Sequence, residues 1–254
     1  MGVKLELKNI KKRFGNKVVL DGVNLTVESG ESFVILGGSG TGKSVTLRLI
    51  STLMDPDEGE ILLDGKKINS SPTGKPQKKI RDKVGFLFQE IGLFDYLPIW
   101  ENVSFYHIHK LGMKPKEAKM LALEQLEKVG IKEDSINLLP SEISLGMKKR
   151  VGLARVLAKK PSLILIDEPT SGLDPIFSSV ISELIMERAK EIDATTITIT
   201  HDIKSAELIS DRIGLLYNGG FAWCGTSEEF SKSEDPAIIQ FSQGNKTGPL
   251  KFIW

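Results

Sequence analysis

The chain has 254 residues, 40% of them hydrophobic, which is enough to bury a sizeable core as one large domain with a secondary lobe. Thirty-four Lys plus Arg against 33 Asp plus Glu leave a net charge of +1, so affinity for DNA, RNA or anionic lipid cannot rest on bulk charge, and no nucleic-acid partner is expected. The single cysteine, Cys224, excludes an intrachain disulfide and any cysteine-based zinc or iron–sulfur site and points to a reducing compartment. The longest apolar stretches, such as residues 163–166, fall far short of the ~18 residues of a membrane span. Residues 1–10 carry Lys4, Glu6 and Lys8 and lack the core of a signal peptide, so a soluble protein is expected.

In chain order, residues 4–27 and 60–63, the latter running into Asp64-Gly65, read as a small antiparallel sheet with a hairpin. Residues 32–36 form a short apolar run closed by glycines, and apolar residues at helical spacing follow over 43–54 until Asp55-Pro56. The pattern is strand, loop, helix. Asn69, Ser70, Ser71, Pro72 and Gly74 read as a surface loop, and residues 84–88 as a buried strand. The character then changes: residues 116–129 place Ala118, Leu121, Ala122, Gln125, Leu126 and Val129 on one helical face, with Gly130 as a stop, and a second helix is predicted over 147–158. A strand at 162–166, a helix around 176–190, a strand at 195–200, a helix near 203–210 and a strand at 213–217 follow. This alternation predicts an α/β core with a largely parallel sheet covered on both faces and ligands at the carboxyl ends of its strands.

Gly37, Gly38, Ser39, Gly40, Thr41, Gly42, Lys43 and Ser44 match the phosphate-binding loop pattern between a strand and a helix. Glycines let successive backbone N–H groups turn toward phosphate oxygens, and the helix presents its positive end to them. Lys43 is the candidate for neutralising the β and γ phosphates of ATP, and Ser44 for holding Mg2+. The apolar strand 163–166 ends in Asp167 and Glu168. Neighbours on a strand point to opposite faces, so the two carboxylates can serve different partners: Asp167 the magnesium, Glu168 the attacking water.

With these motifs in place the chain resembles the ATP-binding subunits of ABC transporters over nearly its whole length. Gln89 stands after a strand as in the Q-loop, and Ile143-Ser144-Leu145-Gly146-Met147 precedes a helix as the signature motif does. Ser171 to Asp174 match the D-loop, and His201 follows a strand as the switch histidine. Phe14 sits where such subunits stack an aromatic on adenine, a contact worth roughly 1 to 3 kcal/mol. The resemblance implies a P-loop NTPase (RecA-like) core with an antiparallel β subdomain, an inserted helical subdomain over about 92–157, core segments over about 1–91 and 158–225, and a C-terminal extension over about 226–254. It also implies catalytic roles for Glu168, His201 and Gln89, with Gln89 joining Ser44 and Asp167 near the metal, and Asp174 near the nucleotide. Ser144 and the backbone at Gly146 would meet the ATP of a second copy, giving a sandwich dimer. Leu145 replaces a glycine of the usual motif; if that position needs a positive φ, leucine there costs about 1 to 2 kcal/mol.

Gly146-Met147, the run from Phe88 through Trp100 to Val103, and the ending from Pro236 to Pro249 are similar to the ATPase of Mla/Mce-type phospholipid transporters. That similarity implies a peripheral subunit at the cytoplasmic face of the inner membrane, bound to integral membrane permease subunits through a groove near residues 93–100. It further implies complexes with a small regulatory subunit and a lipid-binding periplasmic protein, and a tail that reaches across to the other ATPase subunit. An ABC ATPase for another substrate and a soluble, non-transport ABC ATPase are the alternatives. Repair ATPases carry long coiled-coil insertions and translation factors two cassettes, neither of which 254 residues show; a P-loop kinase would not need the Ser144–Gly146 signature.

Overall fold

In the computed structural model, residues 1–69 and 78–251 are described. The first layer is antiparallel: β1 (Leu5–Phe14), β2 (Lys17–Val27), β4 (Glu58–Leu63) and β5 (Lys66–Lys67) lie in the order β2-β1-β4-β5. Alternation decides which face is buried. Leu5, Leu7 and Ile10 of β1 and Leu20, Val23, Leu25 and Val27 of β2 point inward. Asp64 (φ 48°) and Gly65 (φ 70°) form the hairpin turn that the sequence anticipates.

The second sheet, in the order β10-β9-β3-β8-β7-β6, is parallel except at its β10 edge. Its strands are β3 (Ser32–Leu36), β6 (Val84–Leu87), β7 (Leu163–Asp167), β8 (Thr195–Ile199), β9 (Arg212–Tyr217) and β10 (Gly220–Thr226). Four of its strands are buried almost end to end, as parallel strands covered on both faces must be. One face packs with helix α1 (Lys43–Ile50) against the antiparallel layer. The other receives α5 (Leu145–Ala158) and α6 (Pro175–Glu191), whose cluster continues into α3 (Ile99–His109) and α4 (Pro115–Lys128). Between β7 and β9 the chain also forms α7 (Ile203–Ile209), after β8.

Three local expectations are corrected. Helix α1 ends at Ile50 and not at residue 54: Thr52 turns left-handed (φ 58°), and the N–H groups of Leu53 and Met54 close back on the Arg48 carbonyl. This is a Schellman-type stop with threonine where glycine is usual. Asn69 does not belong to a surface loop. It is buried, its Oδ1 accepting from Ile61 N at 2.8 Å and its Nδ2 donating to Gly59 O at 3.1 Å. Residues 70–74 of that predicted loop lie outside the described residues. A six-residue helix, α2 (Lys78–Lys83), leads into β6 where no element was anticipated.

The C-terminal segment folds onto its own chain. α8 (Ser227–Ser231) starts with a capping box of Thr226 and Glu229, and α9 (Pro236–Gln243) with an Asp235 cap. Ile238 and Leu250 join Phe230 in a cluster against β3 and β9. Gln240, 3% exposed, accepts from Leu250 N at 2.8 Å and donates to Leu250 O at 2.9 Å, so one side chain imitates a strand partner for the returning tail. Within the chain this latch holds Leu250 beside α9, while residues 242–249 are exposed. Among the described residues no helix is long and apolar enough to cross a membrane.

Replacing Gln240 by Ala leaves two buried backbone groups without partners and should destabilise the tail by about 2 kcal/mol. The check is limited proteolysis: cleavage after residue 243 should accelerate while the melting of the remaining chain changes little.

Candidate active site

Three adjacent parallel strands deliver the predicted residues to one edge. In the order β3-β8-β7, the glycine-rich loop follows β3, His201 follows β8, and Asp167 and Glu168 end β7. The register pairs Ile35 with Ile199 and Asp167 with Ile199, so all three strands stop at the same level. This placement at the carboxyl ends follows from sheet topology.

At the loop, Gly42 caps α1 with φ 104°, and a Cβ there would come within 3.0 Å of the side chains of Leu20 and Val19. Only glycine lets the backbone turn this close to β2. Lys43 Nζ donates to the carbonyls of Gly37 and Gly38, each at 2.8 Å, which holds the ammonium over the loop. Burial pushes the Lys43 pKa down, against the pull of Glu168 and Asp167. An ammonium in that position is short of negative charge, and a phosphate would supply it.

Ser44 Oγ donates to Asp167 Oδ1 at 3.4 Å. Burial pushes the Asp167 carboxyl up; the Ser44 hydrogen bond opposes this, and the neighbouring Glu168 adds to it. Two hard oxygen donors side by side, one a desolvated carboxylate, suit Mg2+, which takes few protein ligands and keeps water and substrate phosphate in its shell. The described residues contain no group of three or more His, Cys, Asp or Glu that could hold a metal ion. Gln89 is exposed in the turn after β6, and its carbonyl accepts from Lys149 Nζ at 3.0 Å.

Glu168 is backbone-strained. It sits at φ 47°, rarely adopted by a residue with a Cβ and costing of order 1–3 kcal/mol. Three bonds hold it there: its N–H donates to Ile199 O at 2.9 Å, and its carbonyl accepts from Ser171 N at 3.3 Å and Lys149 Nζ at 3.2 Å. In this conformation Glu168 Oε2 lies 2.8 Å from His201 Nδ1, the carboxylate mostly buried and the imidazole mostly exposed. A carboxylate facing an imidazole at the strand ends is a pair that can accept a proton from water and hold an anion.

Elsewhere, Ser144 caps α5, its Oγ accepting from Met147 N at 3.3 Å, and it is exposed. Leu145 is the first residue of that helix and is not left-handed, so the feared cost of a side chain there does not arise. Gly146 lies in the same first turn. Asp174 Oδ1 accepts from Ile176 N and Phe177 N, so the carboxylate expected near the nucleotide caps α6. Phe14 is 47% exposed at the end of β1, with Lys12 Nζ 5.6 Å from its ring centre. Among the described residues, no hydrogen bond or ion pair joins Phe14, Ser144 or Asp174 to the loop–carboxylate–histidine cluster. Lys149 was missed in the sequence. Its signal was a lysine four residues before Leu153 and seven before Val156, on the buried face of α5.

Comparison with known proteins shows the family. Residues 20–171 match the family described as ABC transporter. The chain is 38% identical over 250 residues to the "Probable ribonucleotide transport ATP-binding protein mkl" of Mycobacterium leprae, covering 98% of this chain and 72% of that protein. It is 35% identical over 248 residues to the "Intermembrane phospholipid transport system ATP-binding protein MlaF" of Haemophilus influenzae, covering 98% and 93%. Among solved structures it resembles the dimeric ATP-binding cassette MJ0796 in a post-hydrolysis state bound to ADP and Pi, with a TM-score of 0.79 and 35% identity over 88% of this chain and 98% of that one. A phosphate loop, a paired Asp-Glu and a histidine brought to one sheet edge thus have a family to go with them: the chain belongs to the ABC transporter family and is an ATP-binding and ATP-hydrolysing subunit.

Proposed function

We propose that two copies of this chain close on two ATP molecules and drive a membrane transporter of phospholipid, linked to outer-membrane lipid asymmetry. The observation that carries the chemistry is the 2.8 Å contact between Glu168 and His201 at the strand ends that also present Ser44 and Asp167. The Gly37–Ser44 backbone and Lys43 bind the phosphates, and Phe14 stacks on adenine. Ser44, Asp167 and Gln89 would hold Mg2+, which would supply positive charge to the phosphate oxygens. Glu168 accepts a proton from a water molecule as its oxygen attacks the γ-phosphorus; the bond to the β–γ bridging oxygen breaks and ADP departs. His201 orients that water and donates to the γ-phosphate. Removing the proton as the nucleophile forms is worth about 10² to 10⁴ in rate.

Ser144 and the amides of the first turn of α5 face solvent as an anion-binding helix end, suited to the ATP held by a second copy. Asp174 orders the neighbouring turn. The dimeric state of the MJ0796 cassette supports this reading. The chain divides by function into core and β layer (about 1–91 and 158–225), a helical lobe (about 92–157) that meets integral permease subunits along residues 93–100, and a C-terminal extension (about 226–254). The subunit then sits peripherally on the cytoplasmic face of the inner membrane, with a small regulatory subunit and a lipid-binding periplasmic protein in the same assembly. The relatives' names pull toward phospholipid and ribonucleotide. Gly146-Met147 and the segment from residue 88 to 103 favour the first. Mass spectrometry of ligand carried by the co-purified membrane complex decides it: bound phospholipid is expected, and ATPase activity stimulated only by ribonucleotide overturns the assignment.

Lys43→Ala should weaken ATP binding on the order of a hundredfold, measured by titration of a fluorescent nucleotide. Glu168→Gln should keep ATP affinity and lose turnover on the order of 10² to 10⁴, accumulating an ATP-dependent dimer by light scattering. Ser144→Ala removes a cap worth about 1 kcal/mol; ATP affinity of the isolated chain should hold within twofold while the dimer fraction falls.

A further inference from the structure

Lys149 is 2% exposed and forms no ion pair with a carboxylate among the described residues. Its Nζ donates to two backbone carbonyls from different parts of the molecule, Gln89 O at 3.0 Å and Glu168 O at 3.2 Å. Burying a charge is costly, and uncharged carbonyls repay only part of that cost. Desolvation accordingly lowers the Lys149 pKa, and the nearby charges of Glu168 and Asp167 oppose the shift. A leucine or methionine would fill the same volume without that cost, so packing alone does not account for the ammonium.

The surroundings show what the charge organises. Next along the same helix, Arg155 donates to Gly92 O at 2.7 Å and to Ile91 O at 2.5 Å. Ile91 is buried in a left-handed conformation (φ 64°), unusual for a β-branched residue. It lies where a Cβ on Gly152 would reach 2.6 Å from its Cγ2, so the glycine admits it against α5. The segment Gln89 to Gly92 is therefore clamped to α5, the helix capped by Ser144, by hydrogen bonds to its carbonyls and by the packing of Ile91 at Gly152. Lys149 belongs to this clamp and is also its bond to the core, at the carbonyl of the strained Glu168.

We propose that Lys149 is a positioning residue for ATP hydrolysis: its ammonium joins the Gln89 and Glu168 carbonyls, holding the left-handed Glu168 peptide so that its carboxylate faces His201. Lys149 lies five residues from Ser144, so the aim of the general base depends on where α5 lies when its exposed end meets a phosphate. This rests on Glu168 acting as the base, and the controls separate the two ideas.

The test is steady-state ATPase and nucleotide titration on the full chain, with thermal melting of each variant. Lys149→Met keeps the length of the side chain and removes its donors; kcat should fall at least tenfold while the Kd for ATP stays within twofold. Lys149→Arg, which keeps charge and donors, should recover part of that loss. Lys149→Gln, shorter and uncharged, should lose about threefold to tenfold in kcat at unchanged Kd, and it decides the matter if the methionine variant does not fold. Normal kcat in a folded Met variant, or in the Gln variant, overturns the proposal, as does a parallel loss of kcat and affinity. Glu168→Gln with low turnover beside a normal Lys149→Met means that only the positioning role fails; Glu168→Gln with normal turnover removes both.

Discussion

Charge held out of water and short of its complement is the constraint on which this site depends. Lys43 and Lys149 are driven toward neutrality by burial and Asp167 toward protonation, within one cluster at the ends of β3, β7 and β8. Hydrophobic burial stabilises the two sheets and the helices between them, and that framework absorbs the cost of desolvating these groups. A polyanion carrying a divalent cation fits the imbalance from both sides: phosphate oxygens complement the lysine, and the metal complements the carboxylate. Direct pairing with such a ligand would offset the desolvation of these groups.

Backbone strain is the second reservoir, and it sits in the same place. Glu168 and Ile91 are both left-handed without being glycine, and both are held by cationic side chains of α5 that donate to main-chain carbonyls. Strain of this kind persists only where several contacts over-determine it. Here some of those contacts come from α5, beside the Ile199 and Ser171 bonds to Glu168, so the geometry of the core carboxylate depends in part on an element outside the parallel sheet.

Much of this was legible in the sequence because the relevant signals are local. The loop from Gly37 to Ser44, the apolar run ending in Asp167-Glu168 and the helical period of residues 116–129 each fix their structure within a few residues. What escaped depends on contacts distant in sequence. Asn69 looked like loop because its partners, Ile61 N and Gly59 O, exist only once β4 is paired. Thr52 ends α1 through backbone geometry that no threonine advertises. Lys149 went unnoticed, since its contacts are with carbonyls 60 residues before it and 19 after it.

Leu145 shows how such a departure is accommodated. A side chain placed where glycine is usual would be expensive in a left-handed turn, yet the residue enters α5 as an ordinary first helical position with Ser144 as its cap. Its Cδ2 lies 3.1 Å from where a Cβ on Gly172 would be, so the side chain rests against the turn between Glu168 and α6. Gly172 is left-handed (φ 79°) and bare, which leaves the space that the leucine uses. Residue 172 favours glycine first for its positive φ, and a Cβ there would also have to nudge the exposed tip of Leu145 aside. The tip of α5 thus lies beside the turn that follows Glu168.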